Sequence, residues 1–385
     1  MLNAALAQGS YVTDELRMFQ ETARRFMQAE VAPHVARWDE QGCVDRDLWN
    51  KAGALGLLCP SIPSEYGGGD GNVAFEKVLI EEQAKVGCSA WGLSLHNGIV
   101  AHYVLQYGTE AQKQAWLPKL ASGEWVGAIA MTEPGTGSDL QSVRTTAIPD
   151  DEGYLINGQK VFITNGQQAD LIIVVAKTNP NEKAKGVSLL VVETPNVQGF
   201  RRGRNLEKVG MHGQDTSELF FENVRVPKTA LLGKSEGMGF MQLMEQLPQE
   251  RLIVAWAAVS AIELALDITT TYVKDRKAFG KRVIDFQNTR FKLAEARTEA
   301  MLGRILVEKC TELLLKKKLD AVTAAMAKYW TTDKQFEIAD LCLQLHGGYG
   351  YMDEYPISRL WRDSRVQRIY GGTNEIMKEL IGRFL

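Results

Sequence analysis

The sequence predicts an α+β multidomain protein: an N-terminal all-α domain over 1–122, a middle antiparallel β domain (a barrel or sandwich) over 123–232, and a C-terminal four-helix bundle domain over 233–385. Three observations carry this. The apolar residues switch from helical spacing to alternation near Trp125 and return to helical spacing near Gly237. A chain of 385 residues, 45% hydrophobic and 24% charged, can bury more than one core. The last third holds helical periodicity in runs so long that they need helical partners, for which a four-helix bundle is the economical arrangement.

From Val12 to Ser122 the helical spacing begins with Leu16, Phe19, Ala23, Phe26 and Met27, with Pro33 as a breaker. Further helices are expected at 45–56, 72–87, 90–107 and 109–121. The Gly-rich segment Pro63 to Gly71 fits neither dinucleotide-loop nor P-loop spacing and reads as a turn between helices. Strands are expected at 125–132, 154–164, 171–177, 187–193 and 218–226, with Asn157-Gly158 and Asn165-Gly166 as tight turns. Gly233-Lys234-Ser235 looks like the end of a Walker A loop, but Lys228 stands where its first Gly is needed, so nucleoside triphosphatase chemistry is set aside. Beyond Gly237, helices are expected at 238–276, 284–316, 320–345 and 373–384, with Lys316-Lys317-Lys318 as a solvated turn.

A net charge of −3 argues against nucleic acid or an anionic membrane as partner. Cys43, Cys59, Cys88, Cys310 and Cys342 are odd in number and widely spaced, which suits reduced thiols in a cytosolic setting. The N-terminal residues lack a secretory pattern, and no uninterrupted apolar run reaches the ~20 residues that span a bilayer. A cytoplasmic protein without membrane insertion is expected. His34, His96, His102, His212 and His346 show no metal-ligand spacing, so no metal is expected.

Five motifs suggest chemistry. Ala130-Met131-Thr132-Glu133-Pro134-Gly135-Thr136-Gly137-Ser138-Asp139 sets hydroxyl residues among glycines, so backbone and side-chain donors can closely approach a flat or phosphorylated ligand. Phe162-Ile163-Thr164 lies on an expected strand. Arg276-Lys277-Ala278-Phe279-Gly280-Lys281, with Phe286-Gln287 after it, offers a guanidinium fork suited to phosphate. Gln344-Leu345-His346-Gly347-Gly348-Tyr349-Gly350 reads as a turn. Tyr370-Gly371-Gly372-Thr373-Asn374-Glu375 precedes an amphipathic helix with Thr373 as N-cap and Ile376, Met377, Leu380, Ile381 and Phe384 as its buried stripe.

Together these motifs, in the order α, β, α, resemble the acyl-CoA dehydrogenase family over essentially the whole chain. The resemblance implies FAD, with Ile129, Met131, Thr132, Gly137, Ser138, Phe162, Ile163 and Thr164 on the flavin side. Met131 and Thr132 would face the pyrimidine edge, Ser138 would lie near pyrophosphate or substrate, and Phe162 to Thr164 would cover the ring near N5. Arg276 would serve the pyrophosphate, with Phe279 beside it and Gln287 on the adenosine side. Gln344, Gly347 and Gly348 would reach the FAD of a neighbouring subunit, which implies a homo-oligomer, expected to be a tetramer, with His346 structural. Thr373 and Glu375 would touch FAD.

Most of the family carries its catalytic Glu at the position of Gly371. Here Gly371 leaves space and a backbone N–H for the thioester carbonyl, and Glu250 in Leu247-Pro248-Gln249-Glu250-Arg251 resembles the alternative base of the long-chain and isovaleryl branch. Pro248 is expected to start or kink its helix. Ser138, Arg251, Gly371 and Gly372 are the expected substrate-side residues, with Arg251 holding the carboxylate, and Phe240, Met241 and Leu95 are candidates to line the acyl slot. The implied reaction is α,β-desaturation of an acyl-CoA to trans-2-enoyl-CoA, with Glu250 taking the α-proton and an electron-transfer flavoprotein as acceptor. An acyl-CoA oxidase-like enzyme of the same fold and a non-catalytic FAD-holding assembly partner are the alternatives.

Overall fold

The computed structural model describes residues 9–195 and 197–385. Helix α1 (Asp14–Phe26) starts where the Thr13 side chain accepts from the Leu16 N–H and ends with Arg24 and Arg25 at its negative pole. A π-turn (Met27–Val31) and a 3-10 turn holding Pro33 (Ala32–His34) lead into α2 (Val35–Gln41), which stops at Gly42 in the left-handed region. Between α3 (Arg46–Ala54) and α4 (Val73–Lys85) the Gly-rich segment is a packed turn, as expected: a Cβ on Gly68 would lie 2.1 Å from the Ile62 carbonyl oxygen. Then α5 (Leu93–Leu95), a π-turn (His96–Ala101) and α6 (His102–Tyr107) run on without a break. Helix α7 (Glu110–Ser122) opens on a capping box between Thr109 and Gln112.

The middle of the chain forms one seven-stranded sheet from β1 (Gly127–Ala130), β2 (Thr146–Pro149), β3 (Gly153–Thr164), β4 (Leu171–Lys177), β5 (Val187–Glu193), β6 (Phe200–Asn205) and β7 (Thr216–Pro227). It is mixed where an antiparallel sheet was expected. β1 and β2 run parallel to β4, because β1 reaches β4 by a crossover through β2 and β3 and not by a hairpin. Asn157-Gly158 is no turn either. It sits inside β3, where the register with β7 shifts, and a Cβ on Gly158 would meet Thr145 Oγ1 at 2.4 Å. Asn165, at φ +63°, does end β3 in a turn, its carbonyl accepting from the Gln168 N–H at 3.0 Å.

The C-terminal part contains three long helices, α8 (Gly239–Asp275), α9 (Gln287–Leu315) and α10 (Ala321–His346), and the fourth expected helix, at 373–384, is present but short. A small hairpin of β8 (Lys277–Ala278) and β9 (Lys281–Arg282) joins α8 to α9. Two short helices, α11 (Pro356–Ser364) and α12 (Asn374–Gly382), pack on α10. Pro248 neither starts nor ends α8, which continues through it. By length and composition α8 could cross a bilayer, with a mean hydropathy of 1.8 over 18 residues. Its apolar side chains are taken up within the protein: Leu252, Ala255, Trp256 and Val259 pack with Ile80 of α4, Val307 and Cys310 of α9, and Ala327 of α10. A buried ionic cluster reinforces the joint, with Lys77 on α4 bridging Glu81 at 2.9 Å and Glu308 on α9 at 2.8 Å. Removing one partner of such a cluster would leave a buried charge uncompensated.

Candidate active site

Glu250 is buried on α8, facing α6. Among the described residues its carboxyl has one hydrogen-bond partner, the Tyr103 hydroxyl, which donates to Oε1 at 2.8 Å. Burial pushes the carboxyl up to about 7, against the pull of the Tyr103 bond and the Arg251 charge. Burial and the Glu250 charge push the Tyr103 hydroxyl well up in turn, so it remains a donor. The neighbouring Gln249 fixes the helix against the π-turn, its Nε2 donating to the Gly98 carbonyl at 2.8 Å. The approach is close enough that a Cβ on Gly98 would lie 2.6 Å from Ile253 Cδ1.

The turn before α12 faces the same stretch of α8. Gly371 and Gly372 sit at φ +65° and +88°, a region that favours glycine. A Cβ on Gly371 would lie 3.6 Å from Val254 Cγ2, and Val254 follows Glu250 by one helical turn on the same face. The turn at Gly371 therefore lies against the face of α8 that carries Val254 and Glu250, with room for a Cβ. Thr373 caps α12 by accepting from the Ile376 N–H. Beneath the turn, the fully buried Lys328 of α10 donates to the Gly372 carbonyl at 2.8 Å and to Asn374 Oδ1 at 3.0 Å. Burial, and next Arg251, push the Lys328 ammonium down to about 7. Arg251 reaches the Ala321 carbonyl at 3.5 Å and leaves its buried Nε without a partner.

The other expected site residues fall into two groups. In the first, the Val161 N–H donates to the Thr132 carbonyl at 3.0 Å, which sets Met131 and Thr132 beside Phe162, Ile163 and Thr164. Glu133 and Thr136 exchange backbone bonds at 2.9 and 3.0 Å, and buried Lys160 holds the loop by donating to Glu133 Oε1 at 2.8 Å and the Met131 carbonyl at 3.0 Å. Phe162 is 65% exposed at φ +61°, where β3 bulges. Ser138 and Gly137 are exposed, and a Cβ on Gly137 would meet nothing. The side chains of Ile129 and Ile163 are buried, and both residues lie in paired strands, opposite Ile173 and Ser217.

The second group lies at the far end of the bundle. The Arg276 guanidinium stands 5.5 Å from the Tyr349 ring centroid, and Tyr272 stacks on His346 at 4.2 Å. His346 is tied into α10, its Nδ1 2.8 Å from the Cys342 carbonyl, as its structural reading requires. Phe279 is 95% exposed, and Gln287, Gln344, Gly347 and Gly348 are exposed with it. Among the described residues no hydrogen bond or ion pair joins this group to the first.

An exposed aromatic at Phe162 and an exposed guanidinium at Arg276 would suit a flat ring and its phosphates, and known proteins place the chain among flavin-dependent oxidoreductases. The N-terminal, middle and C-terminal domains of acyl-CoA dehydrogenase match residues 13–124, 128–224 and 237–385. Over 373 residues the chain is 50% identical to the long-chain specific acyl-CoA dehydrogenase of Sus scrofa mitochondria, covering 96% of this chain and 86% of that one. A solved acyl-CoA dehydrogenase from Geobacillus kaustophilus superposes with a TM-score of 0.96 at 50% identity, covering 98% and 99% of the two chains. A glutaryl-CoA dehydrogenase from Mycobacterium smegmatis solved with FADH2 matches at 0.91 and 28% identity, over 100% of this chain and 96% of that one. This chain belongs to the acyl-CoA dehydrogenase family, and its cofactor is FAD.

Its residues fit that cofactor. The 131–137 loop presents open glycine surface at Gly135 and Gly137, and the Arg276 cluster supplies a cation beside glycines with nothing within 4 Å of a Cβ at Gly347 or Gly348. Sequence reasoning missed Tyr103, Lys160 and Lys328. Lys328 carries a signal, a lysine on the buried stripe of α10 with Ala324, Thr331 and Gln335. Tyr103 carries none, since its partner lies 147 residues away.

Proposed function

We propose that this acyl-CoA dehydrogenase converts a long-chain acyl-CoA to its trans-2-enoyl-CoA with Glu250 as the α-proton base, and passes electrons to an electron-transfer flavoprotein. The observation that carries the base assignment is a buried carboxyl raised to about 7 on the helix face that Gly371 leaves open. A carboxyl at that value is half ionised near neutrality and can both take a proton and give it up, within the range where general-base catalysis contributes ~10²–10⁴ in rate. The Gly371 N–H is the donor for charge developing on the thioester carbonyl, and Lys328 fixes the carbonyl of the next residue so that the turn keeps its shape. Arg251 compensates the carboxylate from the adjoining position. When bound, FAD supplies the hydride acceptor for the β-carbon. Leu95 and Phe240 pack on the cluster that contains Tyr103, whereas Met241 is 45% exposed, so the first two are the better acyl-slot residues.

The long-chain assignment rests on the named relative at 50% identity. A homo-oligomer, read as a tetramer, is supported by exposed Phe279, Tyr351, Ile376 and Phe384, which leave an apolar surface around the bundle. The expected buried stripe of α12 is half-open for the same reason: of its members Met377 alone is fully buried. Glu250→Gln should keep FAD bound while palmitoyl-CoA no longer bleaches the flavin under anaerobic conditions; bleaching at the wild-type rate would remove Glu250 as base.

A further inference from the structure

We infer that Tyr103 is a positioning residue for the reaction: its hydroxyl pins Glu250 Oε1 and so presents Oε2 as the oxygen that takes the α-proton. The inference rests on the proposal that Glu250 is the base. Tyr103 is wholly buried and its hydroxyl bonds to Glu250 Oε1 at 2.8 Å, so each side chain fixes the other by a bond shielded from water. No other side chain or backbone group among the described residues hydrogen-bonds either carboxyl oxygen. Oε2 is therefore the carboxyl oxygen left without a hydrogen-bond partner among the described residues.

The bond also sets how much base is present. Burial alone favours the protonated acid, which cannot act, while a phenol donating to Oε1 favours the carboxylate. After proton transfer to Oε2, Oε1 is the carbonyl oxygen of the acid and still accepts from Tyr103, so the contact survives the step and weakens only in strength. The other charged or titratable groups around Glu250 are few. Tyr107 on α6 is a turn away from Tyr103 and bonds Glu245 at 3.0 Å; Arg251 adjoins on α8; Lys328 on α10 sits beyond Arg251. None of these donates to the carboxyl, so a change at Tyr103 is read at Glu250 with little interference.

The test is the pH dependence of anaerobic flavin bleaching by palmitoyl-CoA, recorded for FAD-loaded wild type, Tyr103→Phe and Glu250→Gln between about pH 6 and pH 10. Loss of a hydrogen bond to a charged group should move the acid limb of the Tyr103→Phe profile up by about one pH unit, lowering the rate several-fold near neutrality and restoring it at alkaline pH. A residue needed only for packing would lower the rate equally at every pH. An unmoved limb, or a uniform loss, overturns the Tyr103 role while leaving the base intact; bleaching by Glu250→Gln would instead remove the base reading beneath it. Should Tyr103→Phe lose FAD, a ring-fluorinated tyrosine at that position, nearly the same size and a stronger donor, should move the limb down, and no movement would count against the proposal.

Discussion

At the scale of single residues, the unusual feature is a carboxyl and an ammonium, Glu250 and Lys328, each driven toward 7 from opposite sides by burial. Glu250 has a consequence for stability as well as rate. Its affinity for protons is higher folded than unfolded, so its neutral form adds no burden at low pH. As pH rises from the ordinary glutamate value through about 7, the unfolded chain ionises first and the folded state is progressively penalised. Glu250→Gln removes that penalty. The variant should gain stability over wild type across this window by an amount on the order of 3 kcal/mol at its upper end, seen as a Tm difference that grows with pH. A Tm difference that is flat with pH would mean that the carboxyl titrates normally. A base held in an apolar wall thus lowers stability where it raises rate.

At the scale of elements, the flavin-side loop is held by strand β3. Lys160, buried under residues 131–133, spans two carbonyls and the Glu133 carboxylate, and Glu133 accepts from the Arg144 and Thr145 N–H groups at 2.7 and 2.9 Å. Burial pulls the Lys160 ammonium down to about 8 while Glu133 pulls it back up. Lys160→Met should leave Glu133 buried without its counter-ion, costing about 3–5 kcal/mol in denaturant unfolding, and should raise the Kd for FAD by loosening the loop. Unchanged FAD affinity in a destabilised variant would separate the loop from the cofactor.

The elements were legible to different degrees for physical reasons. β4 and β5 are apolar runs with little else in them, and α8 to α10 keep their period over many turns, so both classes stand out in the sequence. β6, with the sequence Phe-Arg-Arg-Gly-Arg-Asn, is an edge strand whose charge hides it, and β2 is four residues long and ends in Pro149. Asn157-Gly158 has turn chemistry, but the long antiparallel pairing of β3 with β7 overrides it and turns it into a bulge. In the site, the motifs of local sequence, 130–139, 250–251 and 370–375, could be read directly. The Tyr103 and Lys328 contacts could not, because each is made by tertiary packing between helices distant in sequence.

At the scale of the whole molecule, the expected cofactor residues stand in two places, the β1–β3 loop and the Arg276 end of the bundle. If a neighbouring copy supplies the second place, cofactor retention and assembly are one equilibrium. Phe279→Asp puts a charge on a side chain 95% exposed in the single chain, so the isolated fold should tolerate it. It should lower the oligomeric mass in light scattering and release FAD in the same step; a variant that dissociates yet keeps FAD would show that one chain holds the cofactor alone.

That division also changes what a damaged gene copy means. A chain lacking Glu250 still has a sound Arg276 end, and a chain spoiled at Phe279 still has a sound base. If a neighbouring copy does complete each site, two inactive alleles expressed together would assemble some sites from the intact half of each, so activity would reappear in the mixture that neither allele has alone.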